Sequence, residues 1–354
     1  MQQWMNFWGQ KMNSVNILSE RLVNNFWHLV GHKSEVSKNQ DFIKLKLHNR
    51  EIVVSNDNGN LVAFDNICPH RGTRIFIETY GTKSITCPYH AWTYRDGQLK
   101  IPNKKMFKDC DIDSADINKL KLEFCGDFIF VGINPKTSLN SQLSDLKYIL
   151  EEISLNISTR LDFDSYSFEC VFPIAIENAL ESEHVAIVHK DTLASLKLQK
   201  GDYKFFGDNS VWTTTIGNEK IDNSLKKISQ NFNIIGQHQG YQNFLIYPFA
   251  MLSSTYGYSY SLQNFFPGGN NVTNFNSRYY PSHIKEGSSS FMDFFFKEGV
   301  KMNKNIFKED ADICACVPQE SWSIEMPKYS RDIDDRLRVY RSTLKLILKK
   351  GFNK

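Results

Sequence analysis

Short apolar runs alternating with polar positions dominate the chain from Phe26 to about Pro135: FIKLKLH at 42–48, REIVVS at 50–55, LVAFDNI at 61–67, SITC at 84–87, AWTY at 91–94 and LEFCGDFIFVGINP at 122–135. Turn chemistry punctuates them, with DNGN at 57–60 and RDGQ at 95–98, so this region predicts a small antiparallel β domain. Past Lys136 the texture changes. Helical patterns over about 138–154 and 174–190 give way to long β-prone segments, SVWTTTIG at 210–217, the run 243–267 and TNFNSRYYP at 273–281, and helical pattern returns over about 288–350. That mixture predicts a second region of the α+β type, with the boundary in NPKTSLNSQ at 134–142. The first twenty or so residues, with Trp4, Phe7, Trp8, Val15, Ile17 and Leu18, read as a short helical or irregular arm packed on the body. In the final helix Asp332, Asp334 and Asp335 sit near the start and Lys345, Lys349 and Lys350 near the end, which complements the helix dipole. The expected segments are an arm at 1–25, a β domain at 26–136 and an α+β domain at 137–354.

Length agrees with this division, since 354 residues suit two domains with ordinary cores. Hydrophobic residues at 41% and aromatics at 13% describe a globular protein. The net charge of +3 arises from 42 basic and 39 acidic residues spread along the chain, which leaves no basic stripe for nucleic acid or an acidic membrane. No stretch approaches the roughly 18 apolar residues of a membrane span. The start lacks a basic segment followed by an apolar core, so a cytoplasmic protein is expected. Seven cysteines, an odd number, do not look like a disulfide framework. Reduced thiols, some of them metal ligands, fit better.

The strongest chemical signal is CPHRG at 68–72 followed by CPYHAW at 87–92. Each loop follows a β-prone run and delivers one Cys and one His, so two fingers can converge on one metal centre. Two Cys and two His suit tetrahedral zinc. They equally suit a 2Fe-2S cluster with one iron held by Cys68 and Cys87 and the other by His70 and His90. A zinc finger usually takes a CxxC pair and an HxxxH pair from different elements, whereas here every loop is mixed. In this the sequence resembles the Rieske family, CxHxG then CxxH, with Gly72, Pro69 and Pro88 suited to tight loops whose N–H groups face cluster sulfurs. The loops lack the additional cysteines of respiratory-chain Rieske proteins, so the resemblance is to the oxygenase and ferredoxin branch. Cys110, Cys125, Cys170, Cys314 and Cys316 then read as small buried apolar residues.

A ferredoxin of this type would end near residue 135. In the second region PIAIENALESEHVAIVHKD, at 173–191, crowds Glu177, Asn178, Glu181, Glu183, His184 and His189 onto one apolar segment. An ideal helix would splay His184 and His189 by about 140°. They can converge only where the helix ends, bulges or turns between them. The segment matches the Rieske oxygenase pattern ENxx(D/E)xxHxxxxH. The resemblance makes these histidines two of three ligands of a mononuclear Fe(II), in a facial triad that leaves positions open for O2. In the family the carboxylate lies more than a hundred residues later in an ED motif. FKEDADICACV fits, with Asp310 as the ligand by motif and Glu309 or Asp312 as fallbacks.

The resemblance implies an α+β fold, an N-terminal antiparallel Rieske domain followed by a helix-grip (START-like) catalytic domain with a curved antiparallel sheet. It also implies the oxygenase component of a Rieske-type enzyme, an oxidoreductase that hydroxylates or demethylates a small organic substrate. Electrons would come from an NAD(P)H-dependent reductase, directly or through a ferredoxin, and the absence of a GxGxxG fingerprint fits a separate reductase. In the family each cluster serves a neighbour's iron, so a homotrimer is implied. The acidic residue three before the first iron His bridges the two centres. Here it is Glu181, where most relatives place Asp, and Glu occurs in a branch acting on quaternary ammonium compounds. Asn178 supports the site without ligating. The substrate pocket is expected from the stretch 243–281 with Phe205, Phe206 and Trp212. The rival readings are an electron carrier or redox sensor using the cluster alone, and a structural zinc protein.

Overall fold

A computed structural model describes residues 2–107, 110–269, 271–286, 289–329 and 335–349 of the chain. Asp332, Asp334 and Lys350, assigned above to the ends of the last helix, lie outside the described residues, as do the side chains of Trp4, Phe7 and Trp8.

The chain opens with α1 (Gln2–Asn25), a longer and more regular helix than the expected arm. Its Arg21 Nη1 donates to the carbonyls of Ile347 at 2.6 Å and Leu348 at 3.0 Å near the chain's end, carbonyls that a helix C-terminus leaves without partners of its own. Next come β1 (Trp27–His32), β2 (Asp41–Leu47), β3 (Arg50–Asp57), β4 (Asn60–Asp65), β5 (Tyr80–Thr82), β6 (Thr93–Arg95), β7 (Gln98–Lys100), β8 (Lys121–Cys125) and β9 (Phe128–Gly132). They form a four-stranded sheet in the order β4-β3-β2-β5, a three-stranded sheet β1-β9-β8 and the hairpin β6-β7, all antiparallel. The expected strand at SITC is only an isolated bridge, Thr86 to Thr93.

The second region runs α2 (Leu139–Leu143), α3 (Leu146–Asn156), β10 (Asp162–Phe168), α4 (Phe172–Leu180), α5 (Val185–Val188), β11 (Asp202–Phe206), β12 (Asn209–Thr214), α6 (Glu219–Ser229), β13 (Tyr241–Ile246), β14 (Ala250–Thr255), β15 (Ser259–Pro267), β16 (Thr273–Pro281), α7 (Ser289–Ala315) and α8 (Asp335–Lys349). Its strands make one seven-stranded sheet, β10-β16-β15-β14-β13-β12-β11, and α7 packs on β10 and β16. This is the α+β architecture that the sequence predicts.

Both regions share a core. Val30, Ile43 and Leu45 from the first and Phe172, Phe265 and Phe275 from the second belong to one buried cluster, the usual reward for covering apolar sheet faces. Polar groups cross the same boundary. Arg278 of β16 is fully buried; its Nη2 donates to the Val30 carbonyl at 2.8 Å and its Nε meets Glu35 at 3.2 Å.

Candidate functional site

In the first region two loops are built alike. After β4, the Cys68 N–H donates to the Thr73 carbonyl at 2.8 Å and the Gly72 N–H to the Cys68 carbonyl at 3.0 Å; before β6, Cys87 pairs with Trp92 at 2.8 Å and Ala91 with Cys87 at 3.0 Å. The fifth residue of each turn is left-handed, Gly72 at φ 72° and Ala91 at φ 56°. Glycine adopts this freely and alanine only under strain. The Cys68 and Cys87 thiols are buried and free. Burial and the facing Cys87 thiol push Cys68 up, against the N–H groups of His70 and Arg71, which point at its sulfur. His70 lies flat on Trp92, with centroids 4.6 Å apart, and 4.6 Å from His90. Its buried Nδ1 has no hydrogen-bond partner among the described residues, which is costly for a buried polar atom. Two sulfurs and two imidazoles facing one another, one ring nitrogen orphaned, fit the donor set of a Rieske cluster.

In the second region the helix that the sequence suggests across 174–190 is interrupted. α4 ends at Leu180, and Glu181 is extended (φ −103°, ψ 161°). Its Oε2 accepts from the N–H groups of Glu183 at 2.6 Å and His184 at 3.3 Å, so one carboxylate opens the next turn. α5 is a single turn flanked by His184 and His189, and His189 leaves helical geometry at ψ 35°. This is how histidines five apart converge, with ring centroids 5.0 Å apart. Asp310 arrives from α7, on the buried face between Phe307 and Cys314. Its Oδ1 lies 3.5 Å from His184 Nε2 and 3.2 Å from His189 Nε2. One ligating atom from each of the three lies within 4.8 Å of the others, the only such group among the described residues.

Each imidazole is also held from behind. His184 Nδ1 meets Glu181 Oε1, and His189 Nδ1 meets Glu309 Oε2 at 2.7 Å, which also accepts from Thr192 Oγ1 at 2.8 Å. Carboxylates on both Nδ1 atoms aim both Nε2 atoms at Asp310, the arrangement that fixes tautomer and ring orientation in metal sites. Asn178 Nδ2 donates to Asp310 Oδ1 at 2.7 Å. Burial works against the charge on His184, yet Asp310 and Glu181 raise it to about 9. Burial likewise opposes ionisation of Asp310, which the two imidazoles still hold below the usual carboxylate range. Three carboxylates around two imidazoles leave an excess of negative charge, which fits a bound cation.

Glu309 meets His189 from the side away from Asp310 and is not one of the three grouped ligating residues, and Asp312 faces solvent. Glu177, crowded with these residues in sequence, points elsewhere: its carboxylate takes Arg341 Nε at 2.8 Å, Arg341 Nη2 at 2.5 Å and Trp322 Nε1 at 3.0 Å. Of the remaining cysteines, Cys125, Cys170 and Cys314 are buried as expected, while Cys110 and Cys316 are exposed.

A cavity of about 550 Å³ opens onto the triad, walled by Trp212, Tyr241, Tyr258, Phe265 and Tyr279 and by Ser and Asn side chains of β13 to β15. Phe205 and Phe206 do not line it. Phe206 is buried in the cluster with α2 and α3, and Phe205 is exposed.

Residues 26–109 match the Rieske 2Fe-2S domain family. The chain is 25% identical over 324 residues to the chloroplastic choline monooxygenase of Beta vulgaris, covering 88% of this chain and 68% of that protein. It is 26% identical over 243 residues to the carnitine monooxygenase oxygenase subunit of Escherichia coli K12, covering 65% of this chain and 61% of the relative. In fold it is similar to the quaternary ammonium Rieske monooxygenase CntA in complex with L-carnitine, with a TM-score of 0.73 at 19% identity over 94% of this chain and 91% of that one. The chain therefore carries a Rieske 2Fe-2S domain and is similar, over most of its length, to the oxygenase subunits of Rieske enzymes. The relatives named are oxygenase subunits, which agrees with the expectation of a Rieske-type oxygenase, an oxidoreductase. No helix among the described residues is long and apolar enough to cross a membrane.

Two features of the site escaped the sequence reading. Glu309 stood only as a fallback ligand, because two adjacent acids look alike until the helix turns them about 100° apart. The cavity-lining Ile221 and Leu225 of α6 carried a readable signal, since with Ile228 they form an i, i+4, i+7 stripe.

Proposed function

We propose that this chain is a terminal oxygenase that takes electrons from an NAD(P)H-dependent reductase, directly or through a ferredoxin, and hydroxylates or demethylates a small organic substrate. Cys68, His70, Cys87 and His90 hold the Rieske cluster, and His184, His189 and Asp310 hold a mononuclear iron. When bound, the cluster supplies single electrons and the iron supplies O2 activation. The observation that carries this reading is the second triad, with both histidines backed by carboxylates; an electron carrier has no use for it. The chain's own work is positional. Glu181 and Glu309 keep the Nδ1 atoms occupied, Asn178 holds Asp310, and the aromatic wall keeps water from the substrate.

Each centre has an edge at the surface. His90 is exposed beside Tyr89, 57% exposed, and α5 presents Ile187, 78% exposed. These edges suit a homotrimer in which one chain's cluster loops meet a neighbour's α5, with Glu181 joining the two centres. The names of the relatives, acting on choline and carnitine, favour a substrate of that methylated ammonium type, and Trp212 and the tyrosines offer cation–π faces for it.

The test is iron and acid-labile sulfide content of anaerobically purified protein, with EPR of the reduced sample. About three irons and two sulfides per chain are expected. About two irons would reduce the protein to an electron carrier, and zinc without sulfide would overturn both sites. A second expectation concerns Glu309. Glu309→Gln keeps the fold and the cluster signal but weakens mononuclear iron binding about 10- to 100-fold, read by chelator competition. Undiminished affinity would relegate the 2.7 Å contact to packing.

A further inference from the structure

Three arginines are buried among the described residues, Arg278, Arg336 and Arg341. Arg278 meets Glu35 and Arg341 meets Glu177. Arg336, 3% exposed at the start of α8, meets no carboxylate among the described residues. Its partners are neutral: Nε donates to Ser210 Oγ at 3.0 Å, Nη1 to Asn243 Oδ1 at 2.9 Å and Nη2 to the Asn243 carbonyl at 3.4 Å. Among the described residues, the other groups whose electrostatics reach it are the phenols of Tyr203 and Tyr241. Burial lowers its pKa only to about 10, so it stays cationic at neutral pH. A desolvated cation without a counter-ion is disfavoured, and a fold that retains one invites the question of what anion completes it.

The answer lies in the cavity wall. Strand pairing sets Trp212 opposite Asn243, Asn243 opposite Ser253 and Ser253 opposite Ser261, and all four line the cavity that contains the triad. Arg336 meets this row through Asn243 and through Ser210, which shares a face of its strand with Trp212. Because its Nη1 occupies Asn243 Oδ1, the amide is turned so that Nδ2 donates towards Ser253 Oγ, 3.2 Å away. The wall therefore presents the Asn243 amide and the Ser253 hydroxyl, both also bonded to the Tyr241 hydroxyl, beside a positive charge that no carboxylate among the described residues neutralises, while Glu181, Glu309 and Asp310 make the triad end negative. An acid group is repelled from one place and drawn to the other.

We propose that the substrate carries a carboxylate, received by the Asn243 amide and the Ser253 hydroxyl, with Arg336 as the positioning residue that orients Asn243 and makes the wall favour an anion. This deepens the oxygenase reading and rests on it only for what is done to the substrate, since binding of the acid end is separable from turnover.

The test is calorimetric titration of the full metal-loaded chain with phenylacetate, hexanoate and trimethylammoniobutanoate, each beside its primary amide. At least one acid should bind about tenfold more tightly than its amide. Arg336→Met should abolish that preference. Since Arg336→Met also strips contacts from α8, Asn243→Asp is the decisive variant: its carboxylate pairs with Arg336, so the melting temperature holds or rises while the acid preference is lost. Acid and amide binding alike, a preference that survives Asn243→Asp, or no binding of any of the three acids at millimolar concentration would each overturn the proposal. Iron content on the same samples separates the two readings. Missing mononuclear iron with an intact acid preference defeats the oxygenase reading and leaves the anion site standing.

Discussion

Asp310→Ala is expected to drop iron from about three to about two per chain while sulfide and the reduced-cluster EPR signal stay as they were, and to bring substrate oxidation below detection. The geometry explains why the loss is selective. Glu181 and Glu309 still hold His184 and His189 through their Nδ1 atoms, so the imidazoles remain in place, but a pair of histidines without the carboxylate is a poor site for Fe(II). The structural cost is confined to the site: one amide hydrogen of Asn178 and the two imidazole Nε2 atoms lose Asp310 as a partner, at about 1–3 kcal/mol for each that stays buried and unpaired. Asp312→Ala is the control. Its side chain faces solvent two residues further along α7, and the variant should keep its iron. Full iron in Asp310→Ala, or loss of iron in Asp312→Ala, would refute the triad as assigned.

The parts of this molecule that were legible in the sequence are those whose meaning is local. The cluster loops state their chemistry within 25 residues, from Cys68 to Trp92, because both kinds of ligand and the turn glycine are adjacent in sequence. The hairpins β2-β3 and β13 to β15 announce themselves by alternation and turns. The triad was legible in identity, but not in shape. Nothing in the spacing of His184 and His189 reveals that Glu181 ends one helix and caps the next turn. Elements with weak patterns went unread. β10, with the sequence DFDSYSF, is an edge strand whose alternation is diluted by half-exposed aromatics, and β1 was hidden in a segment without turn signals. Buried charge was the least legible feature of all. Glu177 stood only as one of the acids crowded on 173–191 and anchors Arg341, and Glu35, Arg278 and Arg336 were unremarked, because a charged residue in sequence looks solvated until the fold encloses it.

Glu35 is where that blindness has its largest energetic consequence. Glu35→Ala should destabilise the protein by about 3–5 kcal/mol, visible in denaturant unfolding followed by near-UV circular dichroism. The carboxylate lies at the junction of the two regions, its side chain 0% exposed. Oε1 accepts from Tyr280 Oη at 2.6 Å and the His32 N–H at 3.0 Å, and Oε2 accepts from Arg278 Nε at 3.2 Å and from Arg160. Removing it does more than delete these bonds, because it leaves the Arg278 guanidinium buried with only Asn264 and the Val30 carbonyl as hydrogen-bond partners among the described residues. The asymmetry between a satisfied pair and an orphaned charge supplies most of the effect. Glu35→Gln, which retains an acceptor without the charge, should cost less. Acid has the same target. Burial opposes ionisation of Glu35, yet Arg278, Arg160 and Tyr280 hold its carboxyl below the ordinary value of 4.5, so its contribution is complete above that value and is lost as pH falls through the lower, folded-state value. Wild type should therefore lose stability on acidification in a way that Glu35→Ala does not. A loss below about 1 kcal/mol in Glu35→Ala, or identical acid profiles for the two proteins, would mean that the shared apolar core alone holds the regions together.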